Sequence, residues 1–279
     1  MDCKQDGGTR SVGVGERMKH GVARGLLALV LALGPTWASA APGTPEKPEG
    51  LDDSGWASLQ QAVRKVAAQR AKLIAGDGEA HDNFGFSVAL AGDTALVGAY
   101  RDDVGNNLDQ GSAYVFIRSG STWKQQAKLI AGDGAAYDYV GYSVAIDGET
   151  ALVGAVFGDV GANGTEGSAY VFVRSGATWT QQAKLTASDG GFSDNFGASV
   201  ALDGDIALVG ASNDDIGTNV DRGSVYVYTR SGVAWRQQVQ LTASDGASDD
   251  RFGVTIALDG NTALVGASRH AFERGAAYV

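Results

Sequence analysis

Eight aspartates stand in a pattern that could do chemistry. The motif D-G-x-x-x-D occurs four times and pairs Asp77 with Asp82, Asp133 with Asp138, Asp189 with Asp194 and Asp245 with Asp250. Two carboxylates this close, with loop carbonyls beside them, are donors for a hard cation such as calcium, which takes about 6–8 oxygens. The same residue type also caps backbone N–H groups in turns. A pair present in every copy serves the scaffold more readily than a ligand, so capping is the expected role and a calcium site the alternative. A second acidic set lies in RDDVGNNLDQG (101–111), FGDVGANGTEG (157–167) and NDDIGTNVDRG (213–223). Its candidates for rim-loop recognition are Asp102, Asp103, Asp109, Asp159, Glu166, Asp214, Asp215 and Asp221. These loops vary while their surroundings repeat, which suits recognition carried on a rigid scaffold. Solvated loops held by Asx-turns would look the same.

Signatures of catalysis are missing. There is no G-x-S-x-G elbow, no H-E-x-x-H and no G-x-G-x-x-G opening a helix. Beyond the first 40 residues the histidines are His81 and His270, and neither recurs in the other copies. Aspartate at every repeat offers no asymmetric pair that would split acid from base. A carboxylate-based hydrolase is therefore the alternative reading, and no catalytic residue is assigned. Trp123, Trp179 and Trp235 could stack on sugars, but their place beside Gln-Gln in every copy points to packing between repeats. Asn163-Gly164-Thr165 matches a glycosylation sequon and is read as a chance match.

The elements that must position these residues follow from a repeat. Gly85, Gly141, Gly197 and Gly253 are each 56 residues apart, as are Gly98, Gly154, Gly210 and Gly266. AKLIAGDG recurs unchanged at 71–78 and 127–134. Each unit carries four strand signals, in the second copy 141–147, 150–155, 167–174 and 178–185. Asp147-Gly148 and Ser175-Gly176 mark tight hairpin turns. The first three strands are nearly continuous apolar runs, as expected of strands covered on both faces. The fourth alternates, with Trp179, Gln181, Ala183 and Leu185 opposed to Thr180, Gln182 and Lys184, as an outermost strand with one wet face would. Four antiparallel strands repeated at a fixed period make a β-propeller blade. The fold class is all-β, with three full blades and an incomplete fourth.

Phe84-Gly85, Phe196-Gly197 and Phe252-Gly253, each followed by Val-Gly-Ala, resemble the FG-GAP repeat of integrin α-chain propellers and secreted bacterial proteins. The resemblance covers about residues 67–279. It implies a propeller that binds an extracellular protein or glycan, in the manner of cell adhesion. Val140-Gly141 departs from the pattern, and Tyr100, Val156, Ser212 and Ser268 replace the proline of GAP. The calcium loop of the integrin repeat has no counterpart, because the tight turns at 91–93, 147–149, 203–205 and 259–261 offer too few oxygens.

Residues 18–40 have a basic start, an apolar run from Leu26 to Leu33 and Ala38-Ser39-Ala40. That order is a secretory signal, and the run is too short for a membrane anchor. Residues 1–17 match no part of it, so Met18 is a candidate initiator. Residues 41–66 read as a linker with a short helix over 51–66, capped at Ser54. Cleavage after Ala40 leaves 17 basic and 29 acidic residues, net −12. This charge argues against nucleic acid as a partner. The only cysteine, Cys3, lies in the leader, so the exported chain has no disulfide. The expected location is secreted, extracellular or cell-surface, with the periplasm as an alternative. The fourth unit stops at Val279 inside a strand, which reads as a longer propeller with blades missing rather than a closed four-blade ring.

Overall fold

A computed structural model describes residues 47, 50–67, 71–158 and 164–279. The leader, the proposed cleavage site, Met18 and Asp159 lie outside the described residues. Two units are separate by contact, residues 1–70 and 71–279. The first holds helix α1, Asp53–Ala67. Its cap is Asp52, not Ser54. The Asp52 carboxylate accepts the Gly55 N–H at 2.6 Å and its carbonyl accepts the Trp56 N–H at 2.9 Å. Ser54 instead donates its hydroxyl to Asp52, at 2.9 Å. Aspartate two residues earlier wins because its Oδ1 takes both the Gly55 N–H and the Ser54 hydroxyl.

The second unit is four antiparallel meanders in sequence order. Blade one comprises β1 (Ser87–Ala91), β2 (Thr94–Ala99), β3 (Ser112–Ser119) and β4 (Thr122–Leu129). Blade two comprises β5 (Val140–Asp147), β6 (Thr150–Ala155), β7 (Ser168–Ser175) and β8 (Thr178–Leu185). Blade three comprises β9 (Phe196–Asp203), β10 (Ile206–Ala211), β11 (Ser224–Ser231) and β12 (Ala234–Leu241). Blade four comprises β13 (Phe252–Asp259), β14 (Thr262–Ala267) and β15 (Ala276–Tyr278), with one helical turn, α2 (His270–Glu273), before its last strand.

Both hairpin turns centre one residue later than Asp-Gly or Ser-Gly suggests. Asp147 pairs with Thr150, so Gly148 and Glu149 are the turn. Only the glycine takes positive φ, +52°. A left-handed first position alone is the II′ arrangement, which the strand twist favours. The alternation expected in the fourth strand breaks at a bulge. Val171 pairs with Ala183 and Phe172 with Gln181, leaving Gln182 as an extra residue; Gln126 and Gln238 are its counterparts. The bulge reverses which side the later residues face.

Glycine columns explain how blades stack. A Cβ on Gly98, Gly154 or Gly210 would overlap the carbonyl oxygen of Gly141, Gly197 or Gly253 in the next blade. Beside each contact a serine bridges the blades, Ser87 to the Gly141 carbonyl and Ser143 to the Gly197 carbonyl at 2.7 Å, and Ser199 to the Gly253 carbonyl at 2.6 Å. Outer strands are stapled by the glutamine pair. Trp179 donates to Gln126 and Trp235 to Gln182, each at 2.9 Å. The other glutamine of each pair accepts a backbone N–H from the preceding blade, as Gln181 does from Gly132 at 2.9 Å. Burial of the inner strands follows this stacking. Phe196 and Val200 of β9 are buried between sheets, whereas Val88 and Leu90 of β1 are 70% and 68% exposed. The expected cover on both faces is thus met only where a sheet stands on each side.

Candidate functional site

The four Asp pairs divide their work. The second member is buried in every blade and accepts the N–H three residues before it. The donors are Glu79 to Asp82 at 2.6 Å, Ala135 to Asp138 at 2.7 Å, Gly191 to Asp194 at 2.6 Å and Ala247 to Asp250 at 2.7 Å. The first member is exposed and meets a side chain from the adjacent strands. Lys128 reaches Asp77 at 2.7 Å and Lys184 reaches Asp133 at 2.8 Å. The hydroxyls of Tyr226 and Tyr278 donate to Asp189 and Asp245, each at 2.9 Å. Among the described residues no three His, Cys, Asp or Glu side chains gather to hold a metal ion.

The rim set separates by depth. Asp102, Glu166 and Asp214 are buried beneath the loops, at 3%, 4% and 4% exposure, so they cannot present their carboxylates to a surface partner. Asp103 and Asp215 lie outside and cap their own loops, accepting the N–H of Asp109 at 2.8 Å and of Asp221 at 2.9 Å. Asp102 and Asp214 instead anchor a polar centre inside each blade. Asp102 Oδ2 gathers the Ser112 hydroxyl at 2.5 Å, the Tyr114 hydroxyl at 3.3 Å and the Lys128 ammonium at 2.8 Å. Asp214 Oδ2 gathers the Ser224 hydroxyl, the Tyr226 hydroxyl at 2.9 Å and the Gln240 amide at 2.8 Å. One period on from Asp214 stands His270, whose Nδ1 lies 2.8 Å from Asp250.

Charge balance differs sharply between these centres. In blade one Lys128 offsets two carboxylates. In blade three Gln240 takes its place, and burial, with the Asp189 carboxylate adding to it, raises Asp214 above the usual aspartate range. Asp194, buried near Asp214, Asp215 and Glu166, is pushed up to about 6, chiefly by burial. In blade four burial also works to raise Asp250, but the Ala247 N–H and His270 prevail and hold it low. His270 is raised in return, first by its hydrogen bond to Asp250.

A surface feature missed in the sequence belongs to blades one and two alone. Phe86, Tyr100, Tyr142, Tyr139 and Phe157 form a continuous aromatic ladder. Its centroid spacings are 4.5 Å for Phe86–Tyr100, 5.0 Å for Phe86–Tyr142, 5.2 Å for Tyr100–Tyr139 and 5.3 Å for Tyr139–Phe157. The Arg101 guanidinium lies over Tyr100 and Tyr139, 5.4 and 5.9 Å from the ring centroids. Phe86 is 51% exposed, and Tyr137 is 53% exposed beside an open pocket lined by Glu79, His81, Arg101, Asp103 and Asp109. Tyr137 and Tyr139 hold φ of +70° and +59°. The corresponding positions in blade three are Ser193 and Asn195, at +64° and +60°. Asparagine tolerates that conformation, but a bulky side chain there costs about 1–2 kcal/mol. The signal in the sequence was departure from the repeat: Phe86 and Tyr142 face Ala198 and Val254 in the later copies.

A family model described as FG-GAP repeat matches residues 68–116, 123–172, 179–228 and 235–279. No curated protein matches the chain.

Proposed function

Because the chain belongs to the FG-GAP repeat family, we propose that it is a non-catalytic binding module that engages an extracellular protein or glycan through the loops of blades one and two. The observation that carries this reading is the aromatic ladder that holds the strained Tyr139, with the strained and exposed Tyr137 two residues before it. The left-handed conformation recurs in every copy, at His81 and Asn83, Ser193 and Asn195, and Asp249 and Arg251, but only here do two aromatic residues hold it together, against a stability cost, and such outliers point to function. Exposed aromatic faces rimmed by Arg101, Asp103 and Asp109 supply apolar contact and directional hydrogen bonding together. The leader-like segment 18–40 supports export, with the cell surface or periplasm as the setting. Among the described residues no helix is long and apolar enough to cross a membrane.

A hydrolase draws on one observation, the elevated Asp194 beside Asp214 and Glu166. Against it, Asp194 is 5% exposed and its Oδ2 already holds the Gly191 N–H. A general acid must reach the leaving oxygen. The binding reading is tested by a glycan array and a cell-surface pull-down, run with wild type and Tyr139→Asn. The variant restores the residue of Asn195, so it folds at least as stably, yet it should lose most binding. No binding in either screen, or equal binding by the variant, refutes the proposal.

A further inference from the structure

The open pocket beside the ladder is built from segments whose backbones are tied together. The Arg101 N–H donates to the Asp82 carbonyl at 3.2 Å, and the Tyr137 N–H donates to the Leu108 carbonyl at 2.8 Å. Asp103 fixes the loop that carries Leu108 by accepting the Asp109 N–H at 2.8 Å. Blade three repeats this frame bond for bond. There the N–H of Asn213 donates to the Asp194 carbonyl at 3.1 Å, that of Asp249 to the Val220 carbonyl at 2.8 Å, and that of Asp221 to the Asp215 carboxylate at 2.9 Å. The side chains mounted on the frame differ. Blade one presents Glu79 and Arg101, with Tyr137 arriving from blade two, whereas the matching residues further on are Gly191, Asn213 and Asp249. The frame is therefore structural, and these three side chains are what sets this pocket apart from its counterpart. Arg118, Arg174 and Arg230 pair with Asp93, Glu149 and Asp205. The Arg101 guanidinium instead rests over the rings of Tyr100 and Tyr139, and Arg101 lines the pocket.

We propose that this pocket receives one neutral sugar ring of a glycan, an assignment that rests on the binding role proposed above and names its ligand. Polarity selects the class. Arginine only donates hydrogen bonds and an ionised carboxylate only accepts them, whereas a hydroxyl does both. A ring with neighbouring hydroxyls satisfies Arg101 and Glu79 together, while the exposed Tyr137 ring offers a flat apolar surface to its C–H face. A protein side chain with a single charge suits one of the two and opposes the other. Size agrees. The pocket holds about 250 Å³, less than the about 300–1,000 Å³ of sites for drug-sized ligands, which is room for one ring. Charge sets neutrality. Besides the capped Asp82, the carboxylates of Glu79, Asp103 and Asp109 line the pocket against one guanidinium, so a sialic, uronic or sulfated ring is repelled.

An array of neutral, sialylated, uronic and sulfated glycans tests this, probed with wild type, Arg101→Asn and Tyr137→Ser beside a cell-surface pull-down. Each variant carries the residue of a sister copy, Asn213 or Ser193, and melting curves check that it folds. Wild type should bind neutral glycans, and the methyl glycoside of the terminal sugar should compete. Arg101→Asn and Tyr137→Ser should each weaken that binding at least tenfold. Binding to acidic or sulfated glycans in preference overturns the proposal and leaves the binding role standing. Capture of a protein with no glycan bound does the same. Neutral binding undiminished in either variant overturns it too, because the sugar then sits elsewhere. Silence in both screens removes the binding role along with it. If Arg101→Asn does not fold, Tyr137→Ser decides alone.

Discussion

Replacing Asp194 by Asn should stabilise the protein at neutral pH and leave it unchanged in acid. Burial, then Asp214, Asp215 and Glu166, raise this carboxyl from an ordinary 3.8 to about 6. The folded chain therefore holds a proton that the unfolded chain has already released. By linkage, the contribution of the group is greatest below about pH 4 and is lost as pH rises through 6. A shift of about two units at about 1.4 kcal/mol each sets a ceiling near 3 kcal/mol. Local relaxation lowers the expected gain to about 1–2 kcal/mol. Asparagine keeps an oxygen for the Gly191 N–H, now at 2.6 Å, so the turn survives. In a domain of this size the gain corresponds to roughly 2–8 °C in Tm. Melts of wild type and Asp194→Asn should coincide near pH 4 and separate progressively above pH 6. The reasoning fails if the variant is the less stable at pH 7.5, or if the offset is the same at both pH values. Asp250→Asn is the opposing control. That carboxyl is held low with His270 beside it at 2.8 Å, so the substitution should destabilise where the imidazole is protonated.

Gly154→Ala puts a Cβ onto the Gly197 carbonyl oxygen of the next blade, and neither backbone can yield alone. Overpacking of this kind costs about 3 kcal/mol or more, and urea denaturation should show it, whereas Gly176→Ala, with open space around its Cβ, should lose only the smaller cost of positive φ. Trp235→Phe removes the 2.9 Å hydrogen bond to Gln182 and leaves most of the ring packing. A loss of about 1 kcal/mol is expected, and an equal loss should follow Gln182→Ala, with the double variant less than additive.

Much of the scaffold could be read along the chain. A 56-residue period, four strand signals per unit and the glycine columns specify antiparallel blades, because hairpin pairing joins neighbours in sequence and side chains alternate locally. Residue type also placed Trp179 and Trp235 between repeats. The Gln182 bulge was not legible, since an inserted residue leaves the pattern of residue types intact and shows only in the register with β7. Depth within the loops was hidden for a similar reason. Asp102 and Asp103 are adjacent, yet one turns inward to Ser112 and Tyr114 while the other caps the loop outside. The ladder from Phe86 to Phe157 depends on which blades stand side by side. The repeat thus determined the fold through local periodicity. Departures from it acquired meaning only in three dimensions, where sheet stacking brings together residues a full period apart and decides which charges share one buried space.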